Sequence, residues 1–350
     1  MTVTRSTVDS LELEHILPPE QFRGLLDEDP DSPAVKYLFS RSRDVTDRVM
    51  GRRVRVRGLI EITNICRNNC LYCGLRRDNR SLSRYALTDD EILECCRRGH
   101  EAGLRTFVLQ GGENPGMKVD DVCRVVSEIH RRYPDSAITL SLGEWPDEAY
   151  RRFREAGATR YLLRHETHSA SHYSRLHPRE MSLDNRLRCL DTLKRLGYQT
   201  GTGIMVGSPW QTLDNIAEDL EYMARLQPEM IGIGPFLPHS ATPFARCKAG
   251  SLDLTLRLIT ILRLMFPQAN IPSTTALATL SPDGRKLGIQ AGANVVMPNL
   301  SPQAVRDQYS LYNNKAHSGA EAAEGLPALS RELETIGFTI TTERGDYRNV

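Results

Sequence analysis

The chain begins with helical periodicity and then changes to an alternation of short apolar runs and amphipathic segments. Apolar residues recur at helical spacing between residues 8 and 50, which predicts an N-terminal helical extension over residues 1–50. From Val54 onward, short runs rich in apolar and β-branched residues alternate with longer segments of helical period. The eight predicted strands span residues 54–63, 106–111, 137–142, 159–164, 200–207, 230–236, 270–276 and 293–298.

Eight repeats of strand and helix favour one closed architecture in the α/β class. A (β/α)8 TIM barrel has this rhythm, with parallel strands joined by right-handed helical crossovers. An open, doubly wound sheet is the competing architecture, but it does not require eight regular repeats. We therefore expect a barrel over residues 51–315, followed by a C-terminal tail over residues 316–350 that contains a further helix.

Charge and composition limit the classes of partner. The 350 residues carry a formal net charge of +1, so neither nucleic acid nor a membrane surface is expected as the main partner. No apolar run approaches the ~20 residues that cross a bilayer, and the N-terminus lacks the apolar segment of a secretion signal. We expect a cytoplasmic protein whose eight cysteines are reduced thiols rather than disulfides.

Three cysteines lie together in the segment EITNICRNNCLYCGLRR. Cys66, Cys70 and Cys73 follow directly after the first predicted strand, so their loop should lie at the carboxyl-end rim, where barrel active sites are found. Thiolates with this CxxxCxxC spacing suit an iron–sulfur cube. Three of them would bind three irons and leave the fourth iron open to another ligand, as an open position serves a catalytic zinc.

Other interpretations of this loop remain open on spacing alone. A zinc site would need a fourth ligand, and the nearest candidate, His100, lies on a predicted helix well away from the loop. An electron-transfer cluster would favour a fourth cysteine, and the thiols could also bind no metal. The remaining cysteines are predicted to be core thiols: Cys95, Cys96, Cys123, Cys189 and Cys247.

The segment CRNNCLYC resembles the signature of the radical S-adenosylmethionine (SAM) superfamily. Longer segments together resemble its [FeFe]-hydrogenase maturase HydE family, in the biotin synthase-like branch, over about residues 50–315: CLYCGLRRDN, SLGEWP, RYLLRHET, IGIGPF, IPSTTA, VVMPNLSP and YSLYNNK. The resemblance implies a [4Fe–4S] cluster on Cys66, Cys70 and Cys73, with SAM on the open iron. It also implies reductive cleavage of SAM to a 5′-deoxyadenosyl radical.

The same resemblance implies which residues bind SAM. Glu113, in the segment QGGE after the second strand, would contact the amino group of SAM. Arg186 would pair with its carboxylate, and Glu166 would contact polar groups of the ribose or methionine part. The implied set is Tyr72, Gly111, Gly112, Glu113, Ser141, Glu166, Arg186 and Met205.

A substrate cavity deeper in the barrel is also implied. An arginine that faces the interior must meet an anion, because an unpaired buried charge is very costly. Strand period alone leaves open whether Arg164 faces inward, and the resemblance favours that direction. The implied substrate residues are Arg57, Gln110, Thr139, Arg164, Thr274, Thr275, Met297, Tyr309 and Tyr312.

The implied activity belongs to the assembly of the di-iron subcluster of [FeFe]-hydrogenase. The implied substrate is a small organometallic molecule, a cysteine-bound iron carbonyl–cyanide unit, and the implied partners are the maturases HydG and HydF and an electron donor. The alternatives are a methylornithine synthase-like or biotin synthase-like enzyme with an organic substrate, or a carrier protein without chemistry. A second cluster is not predicted, since no cysteine follows Cys247. The histidines of RHETHSASHYSRLH are irregularly spaced, and we expect ordinary polar roles for them.

Overall fold

Parallel strands line the centre of the molecule. The structure, a computed structural model, describes residues 3–315 and 323–347. The strands within these residues are β1 (Arg53–Val56), β2 (Gly58–Thr63), β3 (Thr106–Gly111), β4 (Ala137–Ser141), β5 (Arg160–Leu162), β6 (Gln199–Thr202), β7 (Met205–Val206), β8 (Met230–Ile231), β9 (Gly234–Pro235), β10 (Val295–Val296) and β11 (Thr339–Thr341).

The strand order closes on itself. β2, β3, β4, β5, β6 and β8 pair in that order, and every pair is parallel. Single bridges between Met230 and Asn270 and between Pro272 and Val295 carry the sheet on to β10, and β10 pairs with β1. This arrangement confirms the predicted (β/α)8 barrel, whose carboxyl-end rim collects the loops that follow the strands.

Several predicted strands are interrupted in the structure. The runs over residues 54–63, 200–207 and 230–236 each form two short strands separated by a break. The run over residues 270–276 makes only single bridges, and at Pro272 the backbone has no N–H to donate to a neighbouring strand. Apolar periodicity therefore located the strands but did not reveal where their hydrogen bonding stops.

Helices surround the barrel. The N-terminal helices confirm the helical prediction for residues 8–50. None of the described helices is both long enough and apolar enough to cross a membrane. The helices are α1 (Arg5–Glu14), α2 (Pro19–Asp27), α3 (Pro33–Met50), α4 (Asp89–Glu101), α5 (Val119–Arg132), α6 (Asp147–Glu155), α7 (Ala170–Leu176), α8 (Leu183–Arg195), α9 (Leu213–Leu226), α10 (Leu252–Met265), α11 (Thr275–Leu280), α12 (Gly284–Ala291), α13 (Gln303–Arg306) and α14 (Leu326–Glu334).

Helix α5 illustrates why these segments become the outer layer. Its side chains Val122, Val125, Val126 and Ile129 are spaced one helical turn or less apart and are all buried. They form one apolar stripe, so the helix buries that stripe against the barrel core and leaves its charged face in solvent.

The C-terminal tail crosses the amino-terminal end of the barrel. Strand β11 runs parallel to β1, and the carbonyl oxygen of Arg344 then accepts hydrogen bonds from Thr106 Oγ1 at 2.9 Å and Arg160 Nη2 at 2.7 Å. Thr106 and Arg160 are the first residues of β3 and β5. The tail therefore covers the end of the barrel opposite to the cysteine loop.

One ion pair fastens this tail. The Arg160 side chain is fully buried, and its Nη2 lies 2.8 Å from Asp346 Oδ1. Burial lowers the pKa of Arg160, and the Asp346 carboxylate opposes that effect. Asp346 also accepts from Gln199 Nε2 at 3.1 Å and Arg344 Nε at 2.7 Å, so one carboxylate joins the tail to β5 and β6.

Replacing Asp346 should therefore loosen the tail. We expect Asp346→Ala to lower the free energy of unfolding by about 1.5–3 kcal/mol, because a buried guanidinium loses a charged acceptor. Urea denaturation would measure the change. The control is Glu343→Ala, which removes an ion pair to Arg53 in which both side chains are more than half exposed, and it should cost no more than about 0.5 kcal/mol. Equal effects of the two substitutions would contradict this role of Asp346.

Candidate active site

The cysteine loop follows β2 and is tied to three other segments at the rim. The backbone N–H of Arg67 donates to the carbonyl of Glu113 at 2.8 Å, that of Leu71 to Leu176 at 2.9 Å, and that of Gly74 to Leu311 at 2.9 Å. These bonds hold the loop to the ends of β3 and α7 and to the chain that follows β10. The sequence-based expectation that this loop lies at the carboxyl-end rim is thereby met.

The three thiols of the loop are free and partly buried. Burial raises the pKa of each, and that of Cys73 to about 12. Thiols with raised pKa values stay protonated in the metal-free protein, and a bound metal ion is what deprotonates a ligating thiol. In the described part of the chain, no three His, Cys, Asp or Glu side chains converge as the ligands of one metal ion would. Thiolates on separate irons of a cube need not converge on one point. Cys66 and Cys73 both lie near enough to Cys70 to raise the pKa of its thiol, so this group of three sulfurs fits the expected cluster.

Glycine lets the end of β3 pack directly beneath the cysteine loop. A Cβ atom at Gly112 would lie 2.4 Å from the carbonyl oxygen of Ile65 and 2.8 Å from Cys66 Cβ. The neighbouring Glu113 carboxylate accepts from Arg67 at 2.9 Å and from the N–H of Glu144 at 3.1 Å. Close packing against the loop therefore accounts for Gly112, and Glu113 lies beside the loop.

A cavity of about 370 Å³ extends from the loop into the barrel. Most of the predicted cofactor and substrate residues line it: Tyr72, Cys73, Gln110, Gly111, Ser141, Arg164, Glu166, Arg186, Met205, Thr274, Thr275, Met297, Tyr309 and Tyr312. The side-chain oxygen of Thr274 and the Nε of Arg164 are buried and have no hydrogen-bond partner among the described residues. A bound molecule could satisfy both groups, so the cavity fits a polar ligand.

Two predicted substrate residues, Arg57 and Thr139, are buried but are not among the residues that line this cavity. Thr139 precedes the cavity residue Ser141 by two positions on β4, so both side chains point inward, with Thr139 one layer closer to the amino-terminal end. Arg57 Nη1 lies 3.3 Å from the sulfur of Met230. Burial and the nearby Arg160 guanidinium lower the pKa of Arg57 well below its usual value.

Arg186 is a buried residue in the wall of the cavity. Its helix, α8, is capped at the N-terminus by Ser182, whose side chain accepts from the N–H of Asn185. Arg186 Nε lies 2.5 Å from Glu144 Oε1, and its Nη1 donates to the carbonyl of Arg164 at 2.7 Å. No described residue accepts from Nη2, which leaves that nitrogen for a ligand. The sequence pattern did not indicate this role for Glu144, although the residue lies in the quoted segment SLGEWP.

Tyr72 is fixed by a histidine that the sequence analysis assigned no specific role. His177 Nδ1 lies 3.1 Å from the carbonyl of Tyr173 and must donate to it, so Nε2 accepts from the Tyr72 hydroxyl at 3.2 Å. Burial lowers the pKa of His177 to about 3, so this ring is neutral near neutral pH. The ring of Tyr72 is thus oriented next to the cysteine loop by an uncharged partner.

Glu166 occupies a left-handed backbone conformation, with φ of +66°. Its carboxylate lies 2.8 Å from Arg164 Nη2, and its backbone N–H donates to Gly203 at 3.1 Å. Arg164 and Glu166 both line the cavity, which resolves the direction that strand period left open. A non-glycine residue with positive φ is held by its surroundings.

Helix α9 supplies those surroundings. His165 points away from the cavity, where its Nδ1 lies 2.8 Å from Thr202 Oγ1 and its Nε2 lies 3.3 Å from Asp219 Oδ1. The same Asp219 oxygen accepts from the backbone N–H of His168. Tyr222, one turn further along α9, stacks on His168 at a centroid distance of 4.8 Å. Asp219 and Tyr222 therefore clamp the loop that carries Glu166.

A buried ion pair in the cavity wall was also missed. Lys315 Nζ contacts Glu61 Oε1 and lies 3.2 Å from the carbonyl of Tyr309. Asn299 Nδ2 donates to the other Glu61 oxygen at 2.7 Å. Burial raises the pKa of Glu61, and Lys315 opposes that effect. This pair ties the segment Tyr309–Lys315, which lines the cavity, to strand β2.

The remaining chemistry-bearing residues do not form a further metal site among the described residues. Four histidines between positions 165 and 177 have separate partners, and the ring of His172 bonds the carbonyl of Pro209 at 3.1 Å. Outside the loop, Cys95, Cys96 and Cys189 are buried, and Cys123 and Cys247 are half-buried. The prediction of core thiols therefore holds for Cys95, Cys96 and Cys189, whereas Cys123 and Cys247 only pack against the edges of apolar clusters.

Comparison with known proteins supports the same interpretation. The family model described as "Radical SAM superfamily" matches residues 60–223. The [FeFe] hydrogenase maturase subunit HydE of Thermotoga maritima is 45% identical over 300 residues, which is 86% of this chain and 85% of that protein. A 3-methylornithine synthase of Methanosarcina barkeri is 30% identical over 87% of this chain and 85% of its own. The crystal structure of methylornithine synthase (PylB) matches with a TM-score of 0.84 and 27% identity, over 96% of this chain and 97% of the other.

Breaking the buried pair in the cavity wall should destabilise the protein. We expect Lys315→Met to cost about 3–5 kcal/mol, because it leaves the Glu61 carboxylate buried without a counter-charge. The double variant Glu61→Gln/Lys315→Met should recover most of that loss, since no charge is then stranded. Urea denaturation of the three proteins would measure both effects.

Lys286→Met is the matched control, because it breaks an ion pair with Asp283, whose side chain is 65% exposed. This substitution should lower the free energy of unfolding by less than about 0.5 kcal/mol. A double variant as unstable as Lys315→Met would show that the lost stability does not come from the stranded charge.

Proposed function

We propose that this chain, which belongs to the radical SAM superfamily and within it to the [FeFe] hydrogenase maturase HydE family, acts on a small iron-containing precursor of the hydrogenase di-iron subcluster. The similarity to the HydE of Thermotoga maritima, at 45% identity over 86% of the chain, carries this proposal. The chain uses a [4Fe–4S] cluster and SAM, as its family does. When both are bound and the cluster is reduced, they supply a 5′-deoxyadenosyl radical.

The positions of the site residues support the roles that we propose for them. Cys66, Cys70 and Cys73 would hold the cluster at the rim, and Arg186, through its Nη2, would bind the SAM carboxylate. Glu166 and Ser141 line the cavity next to this position and would orient the ribose and methionine parts. Gly111, Gly112, Glu113, Tyr72 and Met205 complete the proposed SAM site.

The inner part of the cavity would hold the substrate. Arg164 and Thr274 each have a buried polar atom without a partner among the described residues, and Gln110 is oriented by the Tyr309 hydroxyl at 3.3 Å. Hydrogen-bond donors suit an anionic or cyanide-bearing ligand. A small number of well-placed polar groups in an enclosed site is enough to determine which ligand binds there. Thr275, Met297 and Tyr312 would form the rest of the wall, with Arg57 and Thr139 beneath it.

Enclosure is what the barrel itself contributes. The tail covers the amino-terminal end, and the segment Tyr309–Lys315 lines the cavity near the cysteine loop. Both restrict entry of water, which protects a reactive radical and strengthens the electrostatic contacts inside. The walls also hold the reacting atoms close together.

A methylornithine synthase-like reaction is the second candidate. Its support is the 30% identical 3-methylornithine synthase and the likeness to the solved methylornithine synthase structure. The lower identity ranks this candidate below the maturase.

In the maturase proposal, HydG and HydF are the partners, and an electron-transfer protein is the reductant. All of them would act in the cytoplasm, where free thiols such as those of the cysteine loop are kept reduced.

Substrate-dependent cleavage of SAM would decide between these functions. Protein reconstituted with iron and sulfide without oxygen should release 5′-deoxyadenosine from SAM in the presence of a reductant. We expect a synthetic cysteine-bound iron carbonyl–cyanide compound to stimulate this release and lysine to leave it unchanged. Stimulation by lysine alone would favour the methylornithine-type reaction. A protein that releases no 5′-deoxyadenosine with either compound, or with the reductant alone, would be a carrier.

The cluster ligands can be checked in the same assay. Cys70→Ser should lose iron and SAM cleavage, because the cube loses one thiolate. Cys247→Ser, at a half-buried cysteine outside the loop, should keep both. Equal iron content and equal cleavage in the two variants would contradict the ligand assignment.

Arg186 should matter for SAM affinity in addition to its part in the fold, where it pairs with the largely buried Glu144 carboxylate. We expect Arg186→Gln to raise the SAM dissociation constant about 10-fold or more, because a charge-assisted hydrogen bond is lost while the amide can still bond Glu144. Isothermal titration calorimetry would measure the SAM dissociation constant, and thermal melting would report the stability of the same variants. The control is Arg195→Gln on the exposed end of the same helix, where the side chain is 68% exposed. An unchanged dissociation constant in Arg186→Gln would remove Arg186 from the SAM site.

A further inference from the structure

Positive charge is concentrated around the cysteine loop. Residues 66–80 and 175–181 together contain six arginines and two carboxylates, whereas the formal charge of the whole chain is +1. The two segments lie against each other, because the N–H of Leu71 donates to the carbonyl of Leu176 and Cys70 Sγ lies 3.7 Å from Met181 Sδ. The excess charge therefore belongs to one region of the surface.

Several of these arginines are not neutralised within the protein. Arg80 and Arg179 are exposed, and the described residues give neither side chain an ion pair. Arg76 Nε donates to the neutral amide of Asn69 at 2.8 Å. Arg77 contacts Asp78 at 3.3 Å and Glu180 at 3.8 Å, and all three of these side chains are more than half exposed. Solvent-exposed pairs of this kind leave the region positive overall.

An exposed tryptophan lies at the edge of the same region. Trp210 is 56% exposed and has a φ of +63°, a conformation that costs energy for a bulky residue. The Arg175 guanidinium lies 5.6 Å from its ring centroid. Its other neighbour, Phe244, belongs to a small apolar cluster against which Leu71 of the cysteine loop packs.

We name this region the arginine face. It consists of Arg76, Arg77, Arg80, Arg175, Arg179 and Trp210. Tryptophan and arginine are the side chains most enriched at the energetic centres of protein interfaces. Exposed aromatic surface and unneutralised guanidinium groups thus occur together, directly beside the thiols that would hold the cluster.

We propose that the arginine face is the docking site for an acidic electron-transfer protein that reduces the cluster. In this step one electron leaves the reduced centre of the donor and enters the oxidised cluster, and no covalent bond forms or breaks at the contact. The inference rests on the proposed function, since it requires a cluster in the loop. It adds where the donor binds and which kind of surface the donor must present.

Electrostatics explains why such a site would be built from arginine. Complementary charge raises the rate at which two proteins meet by about 10-fold to 1000-fold, and the effect decreases with ionic strength. The thiols are only partly buried, so a donor on this face approaches the cluster through the loop itself. The opposite end of the barrel is covered by the tail and lies at the far end of the strands.

The test compares a protein reductant with an uncharged small one. The variant is Arg80→Glu/Arg179→Glu, at two exposed positions outside the proposed cofactor and substrate sites. We expect its cluster to be reduced at least about 10-fold more slowly by a reduced acidic flavodoxin, as followed by stopped-flow absorbance. Photoreduced 5-deazariboflavin should reduce it at the parent rate. Binding of the oxidised proteins, measured by interferometry, should weaken in parallel.

The control variant, Arg43→Glu/Arg331→Glu, makes the same change in net charge elsewhere. Arg43 lies on α3, which packs on α1, α10 and α12, and Arg331 lies on α14, which packs on β11. This control should keep the parent rate with both reductants, and added salt should remove most of the difference between the parent and the arginine-face variant. Trp210→Ala should weaken flavodoxin binding without changing the deazaflavin rate.

Equal flavodoxin rates in the parent and the arginine-face variant would overturn the docking site. So would an equal loss in the control variant, because net charge rather than the arginine face would then be responsible. The proposed function is judged separately: parent protein that releases no 5′-deoxyadenosine with either reductant would refute that function, whereas release with deazaflavin alone would leave it standing.

Discussion

Burying a charged side chain in a closed barrel is costly unless a counter-charge within the protein pairs with it, because little water reaches it. Three such pairs organise this molecule, and each joins the barrel to a segment distant in sequence. The pairs are Arg160 with Asp346, Glu61 with Lys315, and Arg186 with Glu144. The pairing that offsets the cost of burial therefore also fixes the C-terminal tail, the segment Tyr309–Lys315 and helix α8.

The features that could be predicted from sequence are those with a local signal. Strands and helices have different hydrophobic periods, so eight repeats identified the barrel before any contact was known. The cysteine spacing and its place after the first strand located the loop, since parallel strands bring their following loops to one rim. Most implied cofactor and substrate residues then lie around one cavity because they follow or end those strands.

The features that were missed depend on pairing across the fold. Asp219 on α9 supports the loop of Glu166, yet in the sequence it is one acidic residue among several on an amphipathic helix. Lys315 and Glu144 likewise look like surface charges until the barrel brings them to Glu61 and Arg186. Interrupted strands are missed for a related reason, because apolar spacing does not record where a backbone N–H lacks a partner.

The position of β11 has a consequence for the order in which the molecule is built. Strand β1 pairs with β10 and β11, and both are synthesised more than two hundred residues later. Contacts between such distant segments form late, since a long loop must close before they bring any gain. On the ribosome, the first strand therefore waits until β11 has emerged. Installation of a cluster at the cysteine loop belongs after that moment, when both ends of the chamber exist.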